Sequence, residues 1–267
     1  MEHTAPVGAL LREWRQRRRM SQLGLACEAE ISSRHLSFIE TGRSQPSRGM
    51  ILQLADHLRI PPREKNALLA AGGFASVYPE RSLDDPALAA GLQAVQLVLR
   101  GHEPYPALAV DRHWNLKAAN RALAPLLEGI DPSLLQPPVN VLRLSLHPAG
   151  LAPRIGNAAE WKAHILHRLL EQIDATADEV LMALYKELSN YPLPPGAGRR
   201  TPAHEQYSGV AVPLRLETIH GPVSLISTTM VFGTPLDITL SELAIESFFP
   251  ADEASAAILR TLTDPAG

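Results

Sequence analysis

Residues 21 to 47 read SQLGLACEAEISSRHLSFIETGRSQPS, a pattern that predicts two short helices joined by a tight turn. Ser21 and Ser32 are each suited to cap a helix, because a serine oxygen can accept a hydrogen bond from an unpaired N–H of the first turn. Leu36 and Ile39 are three residues apart and therefore share the buried face of the second helix. The opposite face is basic and rich in hydroxyl groups, as in a helix that enters the major groove of DNA.

The flanking residues predict more helices of the same small domain. Val7 to Arg18 has apolar residues at helical spacing and carries a cluster of arginines at its end, a positive edge suited to phosphates. Met50 to Leu58 has one apolar face, and a fifth helix starts at Pro61 and Pro62 and stops before the glycines at 72 and 73. Five short helices in this space predict a compact all-α domain.

Three groups of spaced residues carry a resemblance to a known family. They are SQ..LA, IS...LS.IE.G...PS and LA..L.IP, and they resemble the XRE-type helix-turn-helix family of phage repressors and bacterial regulators. The resemblance covers residues 7 to 72. It implies a lambda-repressor-like, five-helix domain at residues 1–73 that binds double-stranded DNA, with the sequence-specific contacts made by the second helix of the pair.

The resemblance also implies roles for individual side chains. It places phosphate contacts at Gln22 and Arg43 and base contacts at Ser33, Arg34 and Ser37. Two arginines of the first helix, Arg15 and Arg18, are further candidates for phosphate contacts, because they belong to its positive edge. Phe38 also faces outward and either packs against a thymine methyl group or completes the small core. Glu40 is expected to have a local structural role.

Arg34 is the strongest candidate for reading a base. A guanidinium can donate two hydrogen bonds to guanine, and such a pair contributes roughly 1–3 kcal/mol of discrimination. The alternative is that Arg34 holds a phosphate, since half or more of protein–DNA hydrogen bonds go to the backbone. The sequence leaves both interpretations open.

Composition and charge support two domains with different partners. The chain has 267 residues with 45% hydrophobic content and a mean hydropathy of −0.04. Residues 1 to 75 hold 11 Lys and Arg against 7 Asp and Glu, a net charge of +4, whereas the remaining residues carry a net −7. Only the first part suits a polyanion. Cys27 cannot form an intrachain disulfide because it has no second cysteine, and we expect it to be a small buried residue.

The sequence predicts a cytoplasmic, non-enzymatic protein. It has no apolar run near the ~20 residues that a membrane span needs and no pattern of a signal peptide. His164 and His167 are three residues apart on a predicted helix, but no further ligand at metal spacing accompanies them. Nucleophile elbows, phosphate-binding loops and dinucleotide fingerprints are also missing from the sequence. We therefore expect no catalytic residues, no metal and no cofactor.

A second domain, residues 88–267, follows a linker at 74–87 that is polar and broken by Pro79 and Pro86. Ala107 to Val110 and Trp114 to Ala118 are predicted strands around a turn, and Asn120 is placed to cap a helix that ends at Gly129. This order resembles the opening of a PAS-like domain, an α/β fold with a curved antiparallel sheet.

The rest of the second domain is predicted as helices followed by strands. Ala158 to Ile173 and Asp178 to Asn190 are amphipathic helices, and a Pro/Gly-rich loop at 191–207 comes next. Two strands around a hairpin turn at His220 and Gly221 extend the sheet that starts at Ala107. Leu240 to Phe249 is expected to be the last strand, before a closing helix at 251–263.

Three irregular segments carry a narrower resemblance. HEPYPALAVDRHWNLKAAN, NVLRLSLHPAGLAPRIGNAAEW and VPLRLETIHGPVSLISTTMVFGTPLDITLSELAIESFFPAD occur in this order and resemble the MmyB-like ligand-binding domain found behind XRE-type domains in bacterial regulators. The resemblance covers most of residues 88 to 264. It implies a sensor domain that holds a small apolar molecule, fatty-acyl in kind, in its interior.

Candidate ligand residues follow from residue type and position. The apolar side chains expected to line a cavity are Leu108, Val110, Trp114, Leu123, Leu146, Trp161, Ile165, Leu225, Met230 and Phe232. The polar side chains expected near a ligand head group are His147, Arg154, Asn157 and His164. Each apolar residue could equally belong to an ordinary core, and Arg154, which suits a carboxylate, could equally support a loop.

The expected assembly is a homodimer on an inverted-repeat operator. A single domain of this kind buries little DNA surface, and two-fold pairing to two half-sites raises affinity and specificity. The alternative for the second domain is a ligand-free module for dimerisation or for binding another protein. Detection of a small molecule bound to the protein separates these two interpretations.

Overall fold

The computed structural model of the protein describes residues 5–197, 212–232 and 237–263. The chain divides into two units, the first made mainly of the residues up to Glu80 and the second mainly of those from Arg81 onward. This division falls inside the segment 74–87 that the sequence suggested as a linker. Residues 198–211, which include most of the expected Pro/Gly-rich loop and the start of the first hairpin strand, lie outside the described residues.

The described part of the first unit has five helices, as the sequence predicted. They are α1 (Val7–Arg17), α2 (Gln22–Glu28), α3 (Ser33–Glu40), α4 (Arg48–His57) and α5 (Pro62–Ala71). Ser21, Ser32 and Ser47 cap α2, α3 and α4, because each side-chain oxygen accepts a hydrogen bond from the N–H three residues further on.

A tight apolar core holds these helices together. Leu25, Leu36 and Leu54 are fully buried in it. α1 also lies very close to α3. A Cβ atom added to Gly8 of α1 would be only 2.0 Å from the carbonyl oxygen of Ile39 on α3. The first unit is therefore an all-α helix-turn-helix domain, and the predicted fold class is confirmed for it.

Cys27 differs from its expected position. It is exposed on α2, whereas the sequence predicts a small buried residue. The inner face of this short helix is taken by Leu25 and Ala26 instead, and a residue one or two positions further on points away from that face.

Within the described residues, the second unit has one sheet of five antiparallel strands. They are β1 (Ala107–Val110), β2 (Leu116–Ala119), β3 (Leu214–Thr218), β4 (Gly221–Val231) and β5 (Ala244–Pro250). Their order across the sheet is β2-β1-β5-β4-β3. β5 pairs with both β1 and β4 and thereby joins the two hairpins. The predicted antiparallel sheet is confirmed, with its last strand at the centre.

Helices cover this sheet in the second unit. They are α6 (Ala89–Gly101), α7 (Val141–Leu146), α8 (Ala158–Thr176), α9 (Glu179–Ser189), α10 (Ile238–Ser241) and α11 (Glu253–Thr263). The largest apolar core combines Trp161 and Leu169 of α8 with Leu216 and Leu225 of the sheet. This α/β arrangement agrees with the PAS-like fold class expected from the sequence.

Two predicted elements take a different form. The segment after Asn120 is a 3₁₀ turn (Arg121–Leu127) with Pro125 inside it, because a proline has no N–H for an α-helical hydrogen bond. The side chain of Asn120 does not cap this turn and instead accepts a hydrogen bond from the N–H of Ala107. The last strand starts at Ala244 and not at residue 240, which belongs to α10.

Candidate functional site

The turn between α2 and α3 is closed by backbone hydrogen bonds. The N–H of Ile31 donates to the carbonyl oxygen of Ala26 at 2.9 Å, and Glu30 adopts a left-handed backbone with φ of 53°. A left-handed residue just beyond a helix ends that helix and lets the chain reverse its direction. The turn thus sets the direction in which α3 leaves α2.

α3 buries one face and presents the other to solvent. Leu36 and Ile39 are buried against the core of the first unit. The four residues expected to read bases lie on the opposite side or at its edge, with Ser33 and Arg34 exposed and Ser37 and Phe38 half-buried. The structure therefore brings these four side chains together on one face of α3.

Phe38 lies between two guanidinium groups. The guanidinium carbon of Arg34 is 5.3 Å from the centre of the Phe38 ring, and that of Arg43 is 5.9 Å from it. Both distances are within the range of cation–π attraction. The Phe38 ring therefore restricts the orientations of two exposed arginines. This role differs from the two predicted for Phe38, which were packing into the core and contact with a thymine methyl group.

Arg15 is buried and bonded to Glu40. Its Nε donates to Oε1 of Glu40 at 2.6 Å, its Nη2 donates to Oε2 at 2.8 Å, and the Glu40 side chain is 1% exposed. Burial opposes ionisation of Glu40, but hydrogen bonds from Arg15 and Gln22 outweigh it and lower the pKa of the carboxyl group. The structural role expected for Glu40 is therefore to hold α3 against α1 and α2.

This geometry revises the expected phosphate contacts. The guanidinium of Arg15 is bonded in the core and does not reach the surface. Arg18 stacks on Trp14 and donates to the carbonyl oxygen of Leu58 at 2.9 Å, so it supports the C-terminal end of α4. Gln22 also donates to Glu40, at 2.7 Å, whereas Arg43 is exposed just beyond α3.

An apolar cavity of about 90 Å³ lies in the second unit. It is bounded by the sheet, α7, α8 and the 3₁₀ turn at Arg121–Leu127. Six of the ten apolar residues suggested by the sequence line it, namely Leu108, Trp114, Leu123, Trp161, Ile165 and Leu225. Further apolar lining residues that were not predicted from the sequence include Leu116, Val141, Leu151, Leu214 and Phe248.

The other four apolar candidates do not line this cavity. Leu146 is buried in the surrounding core, and Val110 borders a neighbouring hollow, beside an irregularity in the pairing of β1 with β2. Met230 is 52% exposed, because it is five residues from Leu225 on β4 and side chains alternate between the faces of a strand. Phe232 packs against a smaller cluster that contains α6 residues.

The four expected head-group residues support the structure around the cavity. Arg154 donates to the carbonyl oxygens of Leu126 and Glu128 at 3.1 and 3.0 Å, which fixes the 3₁₀ turn. Asn157 is buried and donates to the carbonyl oxygen of Pro213 at 2.8 Å, which anchors the start of β3.

The two histidines of this set are also engaged elsewhere. The Nδ1 of His147 accepts a hydrogen bond from the N–H of Ala149 at 3.0 Å, and its ring lies edge-on to Tyr191. His164 lies against the ring of Trp161, and burial lowers the pKa of its imidazole. None of the four residues is among those that line the cavity.

The polar wall of the cavity contains charged residues that were not predicted from the sequence. Nη2 of Arg168 donates to Oε1 of Glu246 at 2.8 Å and to Oγ1 of Thr229 at 2.9 Å. Glu246 is 4% exposed, and Arg168 also lies over the ring of Trp114 at 5.1 Å. Arg168 follows Ile165 by three residues on α8, and this spacing could have indicated a charge at the edge of the buried face.

A second, polar hollow of about 240 Å³ adjoins this wall. Trp114 and Arg168 border both spaces. The charged residues of the hollow are Asp111, Arg112, Arg168, Glu171 and Glu242. The ring of Trp114 and the guanidinium of Arg168 therefore separate an apolar cavity from a polar one.

The described ranges contain no group of three or more His, Cys, Asp or Glu side chains that could hold a metal ion. No helix in the same ranges is both long enough and apolar enough to cross a membrane.

Comparison with protein families identifies both units. A family model described as the MmyB-like transcription regulator ligand binding domain matches residues 92–262, which is more than half of the chain. A second, described as a helix-turn-helix domain, matches residues 6–68. No curated protein sequence matches the chain. Both matches agree with the families that the sequence motifs resemble, and neither describes an enzyme.

Proposed function

The chain belongs to the MmyB-like transcription regulators, and we propose that it is a ligand-controlled regulator of bacterial transcription in the cytoplasm. It binds an inverted-repeat operator as a homodimer through α3. A small apolar ligand, fatty-acyl in kind, occupies the cavity of the second unit and changes the affinity for the operator.

The apolar lining of the cavity is the main support for the proposal that an apolar ligand binds there. Seventeen of its twenty lining residues are apolar, and the exceptions are Ser145, Arg168 and Glu246. Ligand sites of this kind are lined mainly by apolar side chains with a few polar groups that orient the ligand. A dry cavity of ~150 Å³ accepts a benzene ring. The cavity of this protein is smaller, at about 90 Å³, so the lining side chains must move apart to admit a long acyl chain.

Native mass spectrometry of the full chain purified from cells tests the ligand. A sensor carries an additional small-molecule mass, and lipid extraction then identifies it. A module that only dimerises or binds another protein carries no added mass after gentle purification and gains none when alkyl compounds are supplied. A chain that carries no added mass and gains none with alkyl compounds contradicts the proposed sensor function.

We expect different consequences from removing the two arginines that flank Phe38. Arg34→Ala should reduce discrimination at one base position by about 1–3 kcal/mol, because a bidentate contact to guanine is lost. Arg43→Ala should weaken all sequences alike and reduce the salt dependence by about one charge. Binding of each variant to an operator and to its single-base variants over a salt series measures both effects.

The two variants serve as controls for each other. Both remove one exposed guanidinium that stacks on the same ring. Equal losses on every sequence for both variants would contradict base reading by Arg34 and favour a phosphate contact in its place.

We also expect the operator to contain two inverted half-sites. A dimer related by a two-fold axis requires half-sites about 10–10.5 base pairs apart, or a multiple of this distance. Footprinting of the full chain should show two protected segments with this spacing, and sedimentation should give a dimer. A monomer in solution that protects one asymmetric half-site contradicts this expectation.

A further inference from the structure

The polar wall of the cavity is an ion pair whose two charges compensate each other. Glu246 accepts hydrogen bonds from Arg168 at 2.8 Å and from Thr229 at 2.6 Å. Ser145, the remaining polar lining residue, accepts a hydrogen bond from Nε1 of Trp161 at 2.9 Å. A ligand in the cavity thus meets a wall with no net charge.

Arg168 retains donors for a ligand while this pair stays intact. A guanidinium has five N–H donors. Nη2 of Arg168 bonds Glu246 and Thr229, and Nη1 has a long contact of 3.5 Å with Glu246. The N–H of Nε and one N–H of Nη1 have no partner among the described residues. Arg168 borders the cavity, so a ligand oxygen that reaches its guanidinium from there can accept hydrogen bonds from these donors.

The charge of that oxygen is restricted by Glu246. A carboxylate at Arg168 would bring a second negative charge close to a carboxylate that is 4% exposed. Two carboxylates that share one site in apolar surroundings disfavour each other's ionised form. Displacing Glu246 from Arg168 gives no relief, because a buried charge without its partner is strongly unfavourable.

The adjoining hollow also disfavours an anion. Asp111, Glu171 and Glu242 border it together with Arg112 and Arg168. Asp111 is paired with Lys117 at 3.0 Å, Arg112 lies 3.5 Å from Asp178, and Arg168 is bonded to Glu246. An anionic head group that passed Trp114 into the hollow would therefore meet cations that are already paired with carboxylates.

We propose that the ligand has an uncharged polar end, such as an alcohol, ester or amide oxygen, which accepts hydrogen bonds from Arg168 while Glu246 stays paired. Glu246 acts as the residue that discriminates against fatty-acid carboxylates. This inference rests on the proposed function, because it requires the apolar part of the ligand to occupy the cavity.

A matched pair of probes tests this inference on the full chain. Octanol and octanoate have the same alkyl chain, and at about pH 8 the octanoate is ionised. Titrations followed by tryptophan fluorescence report binding, because Trp114 and Trp161 line the cavity. We expect octanol to bind at least about tenfold more tightly than octanoate, the ratio that corresponds to 1.4 kcal/mol.

Glu246→Gln removes the charge but retains the size and hydrogen-bonding capacity of the side chain. It should raise the octanoate affinity by about tenfold or more and leave the octanol affinity nearly unchanged. Glu253→Gln makes the same change of charge on α11, where the carboxylate is exposed and pairs with Arg260, and should change neither affinity.

The outcomes distinguish this inference from the proposed function. Tighter binding of octanoate than of octanol to the unaltered chain overturns the uncharged head group and leaves the apolar ligand standing. An octanoate affinity that is the same in Glu246→Gln as in the unaltered chain overturns the role of Glu246. If neither probe binds, the proposed sensor fails as well. Should Glu246→Gln not fold, the comparison in the unaltered chain still decides.

Discussion

Replacing Glu40 with alanine should destabilise the first unit by about 3–5 kcal/mol and abolish operator binding. The substitution leaves the guanidinium of Arg15 buried without its carboxylate, and breaking a buried ion pair from one side has a cost of this size. Gln22 loses its partner on α3 at the same time. The expected loss is a large part of the stability of a small domain.

Hydrogen exchange measured by mass spectrometry can assign this loss to the first unit of the full chain. Amides of α1 to α3 should exchange faster in Glu40→Ala, whereas those of the sheet in the second unit should not change. Glu13→Ala is the matched control, because Glu13 is an exposed residue of α1 that pairs with Arg17. Its removal should cost no more than about 0.5 kcal/mol.

A double substitution separates the ion pair from a general packing defect. Arg15→Met combined with Glu40→Met removes both charges, and apolar side chains of similar volume often restore the stability lost by a single replacement. If the double variant is as unstable as Glu40→Ala, the unpaired charge is not the cause of the loss.

Most of the first unit could be predicted from local signals. Ser21 and Ser32 cap the two helices of the turn, and the spacing of Leu36 and Ile39 identifies the buried face of α3. The burial of Arg15 could not be predicted in this way. Its partner is 25 residues away, and the pair depends on how α1 packs against α3.

The cavity was predictable only in part. Periodicity showed that Trp161 and Ile165 face inward from α8, but it does not separate residues that line a cavity from residues such as Leu146 that fill the core. Arg168 and Glu246 are 78 residues apart. Only the packing of α8 on β5 brings their charges to one wall.

Loop residues misled the prediction for a related reason. His147, Arg154 and Asn157 belong to a segment with unusual sequence, which suggested a ligand site. Such a segment also has many backbone groups outside regular structure, and these need hydrogen-bond partners. Arg154 and Asn157 donate hydrogen bonds to carbonyl oxygens of neighbouring segments. Their side chains therefore stabilise the loop.

Filling the cavity should remove the response to ligand. Leu108→Trp on β1 or Ile165→Trp on α8 adds an indole to a space of about 90 Å³. We expect alkyl probes to lose at least about a hundredfold in affinity, and operator affinity to stay at one value whatever ligand is added. The coupling free energy between ligand binding and operator binding, which these variants should lose, is expected to be about 1–3 kcal/mol. This corresponds to roughly 5–150-fold in operator affinity.

Overpacking is the competing effect in this experiment, because larger side chains in a filled core cost about 1–3 kcal/mol. Melting curves of both variants show whether the fold is retained. Leu97→Trp is the matched control, since Leu97 is exposed on α6 and a tryptophan there adds the same group outside the cavity. A ligand can shift an equilibrium only through its different affinities for the two states. If a filled variant folds and still responds to ligand as the unaltered chain does, the ligand binds outside this cavity.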